Sequence, residues 1–588
     1  MDAVGLHICT FLAWTGGVAL ITWIICRCRL RTKAGAVEDY FAGGRSFAWY
    51  VISGSLLLTN LSTEQLVGLN GVVFADGCMA ASAWETFASL AICIAATVFL
   101  PRYMQLGLTT TSGYLGERFD RATRTLVSVV LLTFYAVGLC PSVLYTAALA
   151  IRNILGIDGL PLWTISLAIG LLGSVYAIFG GLKGVAVSDC LNGIGLFIVG
   201  LWVPLAALQR IGGPAALFEH PQFLRPLVAT SQVFDKGTGA RSLGEPTLPW
   251  RTLLTGFMPI NVYYWSMNQV IVQRALAAQS LAEGQKGVLF AACMKVVGFV
   301  TLCLPGVIGM IMIEKGIHVG GEAFTVDAPD KVYPELVKAV MPDWSFGFLA
   351  AVLLGSALST YNSALNSAST LFALEVYRPY IHSGASDERT VKVAAVFGAA
   401  LAIPSWIVAP QFEQVVSIFD FIRRVKTLVS LPVMTVFLVG VASARPDAFA
   451  AKVGFAVGAL AYGCGLLLPW QLHFLDLFTI GLALALLAVG LATWAPALRR
   501  GCRQEPTPPV RSPIKHQPVV DVAQWLWVRR LCAGVAALVA ALTVSLQFGS
   551  LELFIAFGVV WVALALVLAA LRTTDVRDVE ARGVPHTV

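Results

Sequence analysis

The feature that most constrains this chain is its succession of long apolar runs. They lie at approximately 4–27, 48–74, 78–101, 125–151, 160–179, 185–208, 252–273, 287–313, 343–377, 391–409, 413–440, 452–470, 474–496, 529–548 and 551–571. About 20 apolar residues suffice for a helix to cross the hydrocarbon core. In lipid every backbone group must be paired within its own segment, so helix is the assignment such runs allow. The reading is an all-α polytopic membrane protein with about 15 transmembrane helices. Composition agrees, since 12% of residues are charged against about 25% in a soluble chain. The lipid bilayer is therefore the first partner. The net charge of +7 does not point to nucleic acid, because the charges sit at the ends of apolar runs.

The first run, Gly5 to Cys26, lacks a basic n-region and a small-residue cleavage site, so it reads as a helix and not as a signal peptide. Lys and Arg mark every second connection. Arg27, Arg29, Arg31 and Lys33 follow the first run, then Arg102, Arg118, Arg121 and Arg124. Lys183, Arg274 with Lys286, Arg378 with Arg389 and Lys392, and Arg445 with Lys452 mark the next four. Arg499, Arg500, Arg503, Arg511 and Lys515 close the series, while 409–413 and 470–474 carry neither residue. By the positive-inside rule this predicts a multi-pass plasma-membrane protein, N-terminus outside and C-terminus cytoplasmic. The 12 cysteines show no metal-ligand spacing and read as small apolar filler. The seven histidines do not pair at metal spacing, and no P-loop, GxSxG or CxxC occurs, so no enzyme chemistry is indicated.

Two runs are interrupted by polar and small residues. The second reads SGSLLLTNLSTEQLVGLNG from Ser53 to Gly71, and the seventh TGFMPINVYYWSMNQVIVQR from Thr255 to Arg274. Interrupted segments at corresponding positions of two halves are the mark of inverted-repeat transporters. A five-plus-five arrangement follows, about 48–208 and 252–440, with one helix before and four after. The expected organisation is an extra helix and basic loop (1–40), a first five-helix repeat (41–210), an extracellular loop (211–250) and a second repeat (251–440). Two additional helices (441–500), a polar Pro-rich cytoplasmic linker (501–528), two C-terminal helices (529–571) and a cytoplasmic tail (572–588) complete it. The segments 209–250 and 314–342 read as short surface helices or lids.

A broken helix releases carbonyls that can bind a cation. The ninth run, GSALSTYNSALNSAST from Gly355, supplies hydroxyls at Ser356, Ser359, Thr360 and Ser363, spaced i, i+3, i+4, i+7 along one face. The same stripe is equally a small-residue packing seam. Ionisable residues inside spans mark functional sites or internal ion pairs. Here they are Glu64, Glu85, Asp189, Lys295, Asp420, Arg423, Arg424 and Lys426. Asp189 reads as lying near a cytoplasmic helix end, where a charge is cheaper to keep.

From about Asp39 to Phe437 the chain resembles the sodium:solute symporter family, in its sodium/glucose cotransporter-like branch. The blocks FAGGRSFAWYVISGSLLLTNLSTEQLVGLNG (41–71), YAIFGGLKG (176–184), NVYYWSMNQVIVQRALAAQSLAEGQKGVLFAACMK (261–295) and NSALNSASTLFALEVYRPYI (362–381) carry the resemblance. It implies a LeuT-type five-plus-five inverted repeat. It also implies a sodium site built from the carbonyls of Leu58, Leu61 and Ser356 with the hydroxyls of Ser359 and Thr360. Asp189 and Ser363, with Asn362, stand where some members hold a sodium path or a second sodium. Asn60, Gln65, Asn261 and Lys295 stand at sugar-contacting positions, and Tyr264 at the aromatic gate, with Tyr263 and Trp265 beside it.

The family's sugar-binding glutamate position holds Trp84, one residue before Glu85, with Ala83 and Phe87 as its neighbours. Arg423 replaces a sugar-binding glutamine. It would favour a carboxylate, or pair with Glu85 or Asp420. The expectation is sodium-coupled symport of a sugar or sugar-like polar solute. The rivals are an organic anion such as a sugar acid or monocarboxylate, and a non-transporting membrane sensor.

Overall fold

The computed structural model describes residues 3–28, 36–155, 157, 159–235, 239–414, 418–468, 472–494 and 522–570. Most of the expected linker, the tail from 571, and the basic residues Arg29, Arg31, Lys33, Arg499, Arg500, Arg503, Arg511 and Lys515 lie outside them, as do the side chains of Arg27, Glu64 and Asp420. Residues 522–528, expected in the linker, instead open a helix.

Helix α1 (Ala3–Cys28) stands first. A broken helix follows, α2 (Trp49–Asn60) and α3 (Thr63–Asp76). Then come the composite helix α4 (Met79–Gln105) and α5 (Arg121–Arg152). The stretch Leu162–Ile211 runs on through a kink at Gly181, which divides α6 (Leu162–Ser174) from α7 (Gly181–Ile211). Gly181 has φ 52°, a left-handed conformation that side chains resist, and its missing Cβ would meet the Tyr40 carbonyl at 3.2 Å.

The second half opens with another broken helix, α8 (Met258–Ser266) and α9 (Gln269–Leu276). It continues through α10 (Leu281–Val296), α11 (Leu304–Glu314), α12 (Phe346–Leu371), α13 (Asp387–Val408) and α14 (Ile418–Ala442). Four helices close the described chain: α15 (Ala448–Leu467), α16 (Phe474–Trp494), α17 (Val522–Phe548) and α18 (Leu551–Ala570).

Among the described residues, 11 helices are long and apolar enough to cross a membrane. The other four expected spans, at 48–74, 160–179, 252–273 and 287–313, are shorter or interrupted pieces. Apolar side chains such as Leu460, Leu491 and Val559 are more than 60% exposed. Such exposure is costly in water and natural against lipid.

Both breaks have a local cause. Ser62 caps α3, its hydroxyl accepting from the Gln65 amide at 3.3 Å, and Asn268 caps α9, its side-chain oxygen accepting from Val270 N at 3.1 Å. These are the residue types that start helices, and they do so here in mid-span. Between α7 and α8 lie two short helices and a hairpin pairing β1 (Ser231–Phe234) antiparallel with β2 (Arg241–Gly244). The hairpin sits on the end of α3. Arg241 donates to Phe74 O at 2.7 Å, and a Cβ on Gly77 would meet Gln232 O at 2.5 Å.

Candidate functional site

The first break is where helix geometry fails. Leu61 leaves the helical region (ψ 70°) while its N–H still reaches Leu57 O at 2.7 Å. The carbonyls of Thr59 and Leu61 turn toward α12. Ser356 Oγ donates to Leu61 O at 2.6 Å, and Thr360 Oγ1 to Thr59 O at 3.3 Å. Ser359, on the same face of α12, is buried with its hydroxyl beside the Asp189 carboxylate. Leu58 lies one turn before Leu61 on α2 and is 1% exposed. Leu61, Ser356 and Thr360 thus meet directly. The Thr59 carbonyl was not foreseen, because hydropathy does not report which carbonyl a break turns outward.

Asp189 and Ser363 share a neighbour that alters their reading. Asp189 is fully buried, not at a cheap helix end. Its Oδ2 accepts from Ser55 Oγ at 2.6 Å and from Arg274 Nη2 at 3.2 Å. Arg274 also donates to Ser363 Oγ and to the Val270 carbonyl. Arg274, read above as a loop charge, is 1% exposed inside the bundle. A buried charge is tolerable only when paired and hydrogen-bonded, and each of these two supplies the other's counter-charge. Lys286 is likewise buried, its ammonium 4.3 Å from the Trp49 ring centre, and Lys183 bonds Asp39.

A cavity of about 130 Å³ adjoins the break. Asn60, Gln65, Trp84, Asn261, Tyr264, Lys295 and Arg423 all line it. Glu85 is buried behind the wall and grips Lys295, Oε1 to Nζ 2.7 Å. Lys295 also donates to Asn60 Oδ1, and Asn60 Nδ2 donates to Tyr264 Oη at 3.4 Å. One polar chain therefore joins α4, α10, α2 and α8.

Glu85 takes Lys295 as its partner, so the expected alternative of a Glu85–Arg423 pair is not what forms. The Arg423 guanidinium lies 4.8 Å from the Phe474 ring centre. Trp84 packs edge-on against Phe257 with centroids 4.6 Å apart, and Asn261 donates to Phe257 O at 3.0 Å. Lys426, Thr427 and Ser430 also line the cavity. Thr427 and Ser430 had gone unremarked, although with Arg423 and Lys426 they repeat at i, i+3, i+4, i+7. Arg424 faces away and is exposed.

Two helical halves, each opened by a broken helix, with a polar cavity beside one break, define a membrane transporter of the inverted-repeat kind. The family model for the sodium:solute symporter family matches residues 40–458, and the chain belongs to that family. Membership makes it a sodium-coupled multi-pass membrane transporter and not an enzyme.

A protein of Escherichia coli (strain K12) called uncharacterized symporter YidK is 37% identical over 483 residues, 80% of each chain. The sodium/glucose cotransporter of Vibrio parahaemolyticus is 29% identical over 479 residues, 78% of this chain and 86% of its own. The solved structure of a Na+-coupled sialic acid symporter in a substrate-bound outward-open state superposes with TM-score 0.68 at 20% identity. It covers 83% of this chain and 97% of that one, and establishes the shared fold.

Proposed function

We propose that the protein imports a sugar or sugar-like polar solute together with sodium, by alternating access. The observation that carries this reading is the sharing of one short backbone segment by two sites. Thr59 and Leu61 face the hydroxyls of α12, while Asn60 between them points its amide into the cavity chain. Sodium is a hard cation that takes carbonyl and hydroxyl oxygens. Leu58, Leu61 and Ser356 would give carbonyls, and Ser359 and Thr360 hydroxyls. The ion would tie α2 to α12 and stabilise the solute-competent state, which is coupling through unequal affinity of two states for sodium.

The solute would lie against Asn60, Gln65, Asn261 and Lys295, with Tyr264 as the gate that moves aside. The mix of aromatic walls and a few amide, hydroxyl and charged groups in that cavity is the lining that orients a small polar solute. The orientation that suits import is N-terminus outside and C-terminus cytoplasmic. The test is uptake of labelled sugars and sugar acids by proteoliposomes under an inward sodium gradient. Accumulation that collapses when potassium replaces sodium supports the reading. Accumulation indifferent to sodium, and equal in Ser359→Ala, overturns it.

A further inference from the structure

The family resemblance offers Asp189 and Ser363, with Asn362, as ligands for a second sodium. The structure gives those oxygens to a cation that the chain itself supplies. Arg274 Nη2 donates to Asp189 Oδ2 at 3.2 Å and to Ser363 Oγ, its Nε donates to Ser55 Oγ at 2.6 Å, and its Nη1 to the Val270 carbonyl. The same Asp189 oxygen accepts from Ser55 Oγ at 2.6 Å and from Thr59 Oγ1 at 3.5 Å. The Ser359 hydroxyl bonds this carboxylate as well, and Ser363 Oγ donates onward to the Ser359 carbonyl. Ser55, Asp189, Arg274 and Ser363 are each 2% exposed or less.

Charge decides what such a cluster can take. One carboxylate faces one guanidinium, and among the described residues each is the other's ion-pair partner. A sodium ion added here would be a second positive charge closed off from water and answered by no second acid, which is costly. Asn362 offers no way round. It lines another pocket, of about 20 Å³, with Thr15, Ser188, Asn192 and Ser359. That volume suits one water molecule, and no carboxylate lines it among the described residues. At the break the situation differs, because Ser356 and Thr360 bond to neutral carbonyl oxygens.

We infer that the Arg274 side chain is the fixed occupant of the second cation position, so that the protein binds, and carries with each solute, a single sodium ion. This rests on the reading of the α2–α12 break as the sodium site. A tethered guanidinium completes Asp189 without being drawn from solution, so it adds nothing to the driving force.

The experiment is equilibrium binding of radioactive sodium to the purified full chain in lipid nanodiscs, with choline holding the ionic strength constant. The unmodified protein should saturate at one ion per chain, with a Hill coefficient of one. Arg274→Ala frees Asp189, Ser55 and Ser363 of their cation and should saturate at two. Adding Asp189→Asn to it should return the count to one. Two ions on the unmodified chain would overturn the inference while leaving the sodium site at the break standing. A folded Arg274→Ala that still takes one ion would also overturn it, since Arg274 would then not be what excludes the second. Should Arg274→Ala fail to fold, the count on the unmodified chain decides alone. An unmodified chain with no saturable sodium binding would remove the site at the break itself, and the inference with it.

Discussion

The hydroxyl of Ser356 on α12 donates a 2.6 Å hydrogen bond to the carbonyl of Leu61, the residue at which α2 ends. A second bond, Thr360 to the Thr59 carbonyl at 3.3 Å, runs parallel to it. These bonds hold oxygens from two helices within reach of one another, which is what a small cation needs. Ser359, buried on the same face of α12, turns its hydroxyl toward the Asp189 carboxylate, so an ion there would meet an oxygen already beside a negative charge. Ser359→Ala and Thr360→Ala are each expected to raise the sodium concentration for half-maximal uptake by roughly tenfold to a hundredfold, the worth of one oxygen on a charge. Thr360→Ser keeps the oxygen and should stay near the unmodified value. Uptake titrated against sodium in each variant measures this, and an unmoved Ser359→Ala curve would remove the assignment.

Glu85 and Lys295 form a pair with side chains 0% and 2% exposed. Removing one partner strands the other charge, at a cost of about 3–5 kcal/mol, whereas removing both is far cheaper. Glu85→Gln and Lys295→Met should therefore each unfold at clearly lower temperature in detergent than the parent. The double variant should recover much of the loss, though not transport, because Lys295 lines the cavity. Additive losses in the double variant would mean that the two residues act independently.

Much of this architecture was readable from the sequence because lipid leaves a segment so few choices. The spans, the two breaks and the Ser356–Ser359–Thr360 face all follow from local pattern. Ser62 and Asn268 were visible as polar residues in mid-span, and their capping role explains why the helices stop there. What escaped depended on partners far along the chain. Arg274 looked like a loop charge because it follows an apolar run. Only Asp189, 85 residues away, shows that it turns inward. Glu85 and Lys295 are 210 residues apart, and no local rule pairs them. Thr427 and Ser430 were hidden for another reason: hydroxyls every turn of a helix are ordinary until Arg423 and Lys426 on the same face give the stripe a cavity to line.

Asp120 ties α5 to α15 by accepting from the Thr123 amide at 2.7 Å and from Lys452 Nζ at 2.5 Å. Partial burial pushes its carboxyl up, but the hydrogen bonds from Lys452 and Thr123 outweigh this and hold it below the ordinary value of about 3.8. A depressed carboxyl stabilises the fold above its unfolded-state value, and that contribution is lost as pH falls through the folded-state value. Asp120→Asn keeps a competent cap but loses the charge pair. At pH 6 the variant should be less stable by under about 1 kcal/mol, as expected of a partly exposed pair. The gap should close as the pH drops below 4. Thermal unfolding followed by tryptophan fluorescence from pH 6 to pH 3 measures it, and a gap that widens in acid would contradict the assignment.

Asn60 is the joint between the two halves of the site. Its side chain accepts from Lys295 and donates to Tyr264 Oη at 3.4 Å, while the carbonyls on either side of it accept from Thr360 and Ser356. A solute that draws on the Asn60 amide therefore draws on the backbone that would hold sodium, without touching α12. Asn60→Ala should weaken solute binding and, although no sodium ligand is altered, also raise the sodium concentration needed for half-maximal uptake. Gln65→Ala is the control. Gln65 lines the same cavity beyond the break, on α3, and its loss should move the solute KM alone. Linkage requires that sodium tighten solute binding by the same factor as solute tightens sodium binding. Titrating each ligand at low and high concentrations of the other gives that factor directly. It should shrink toward one in Asn60→Ala and persist in Gln65→Ala; a factor unchanged in both would mean that coupling runs through another part of the bundle.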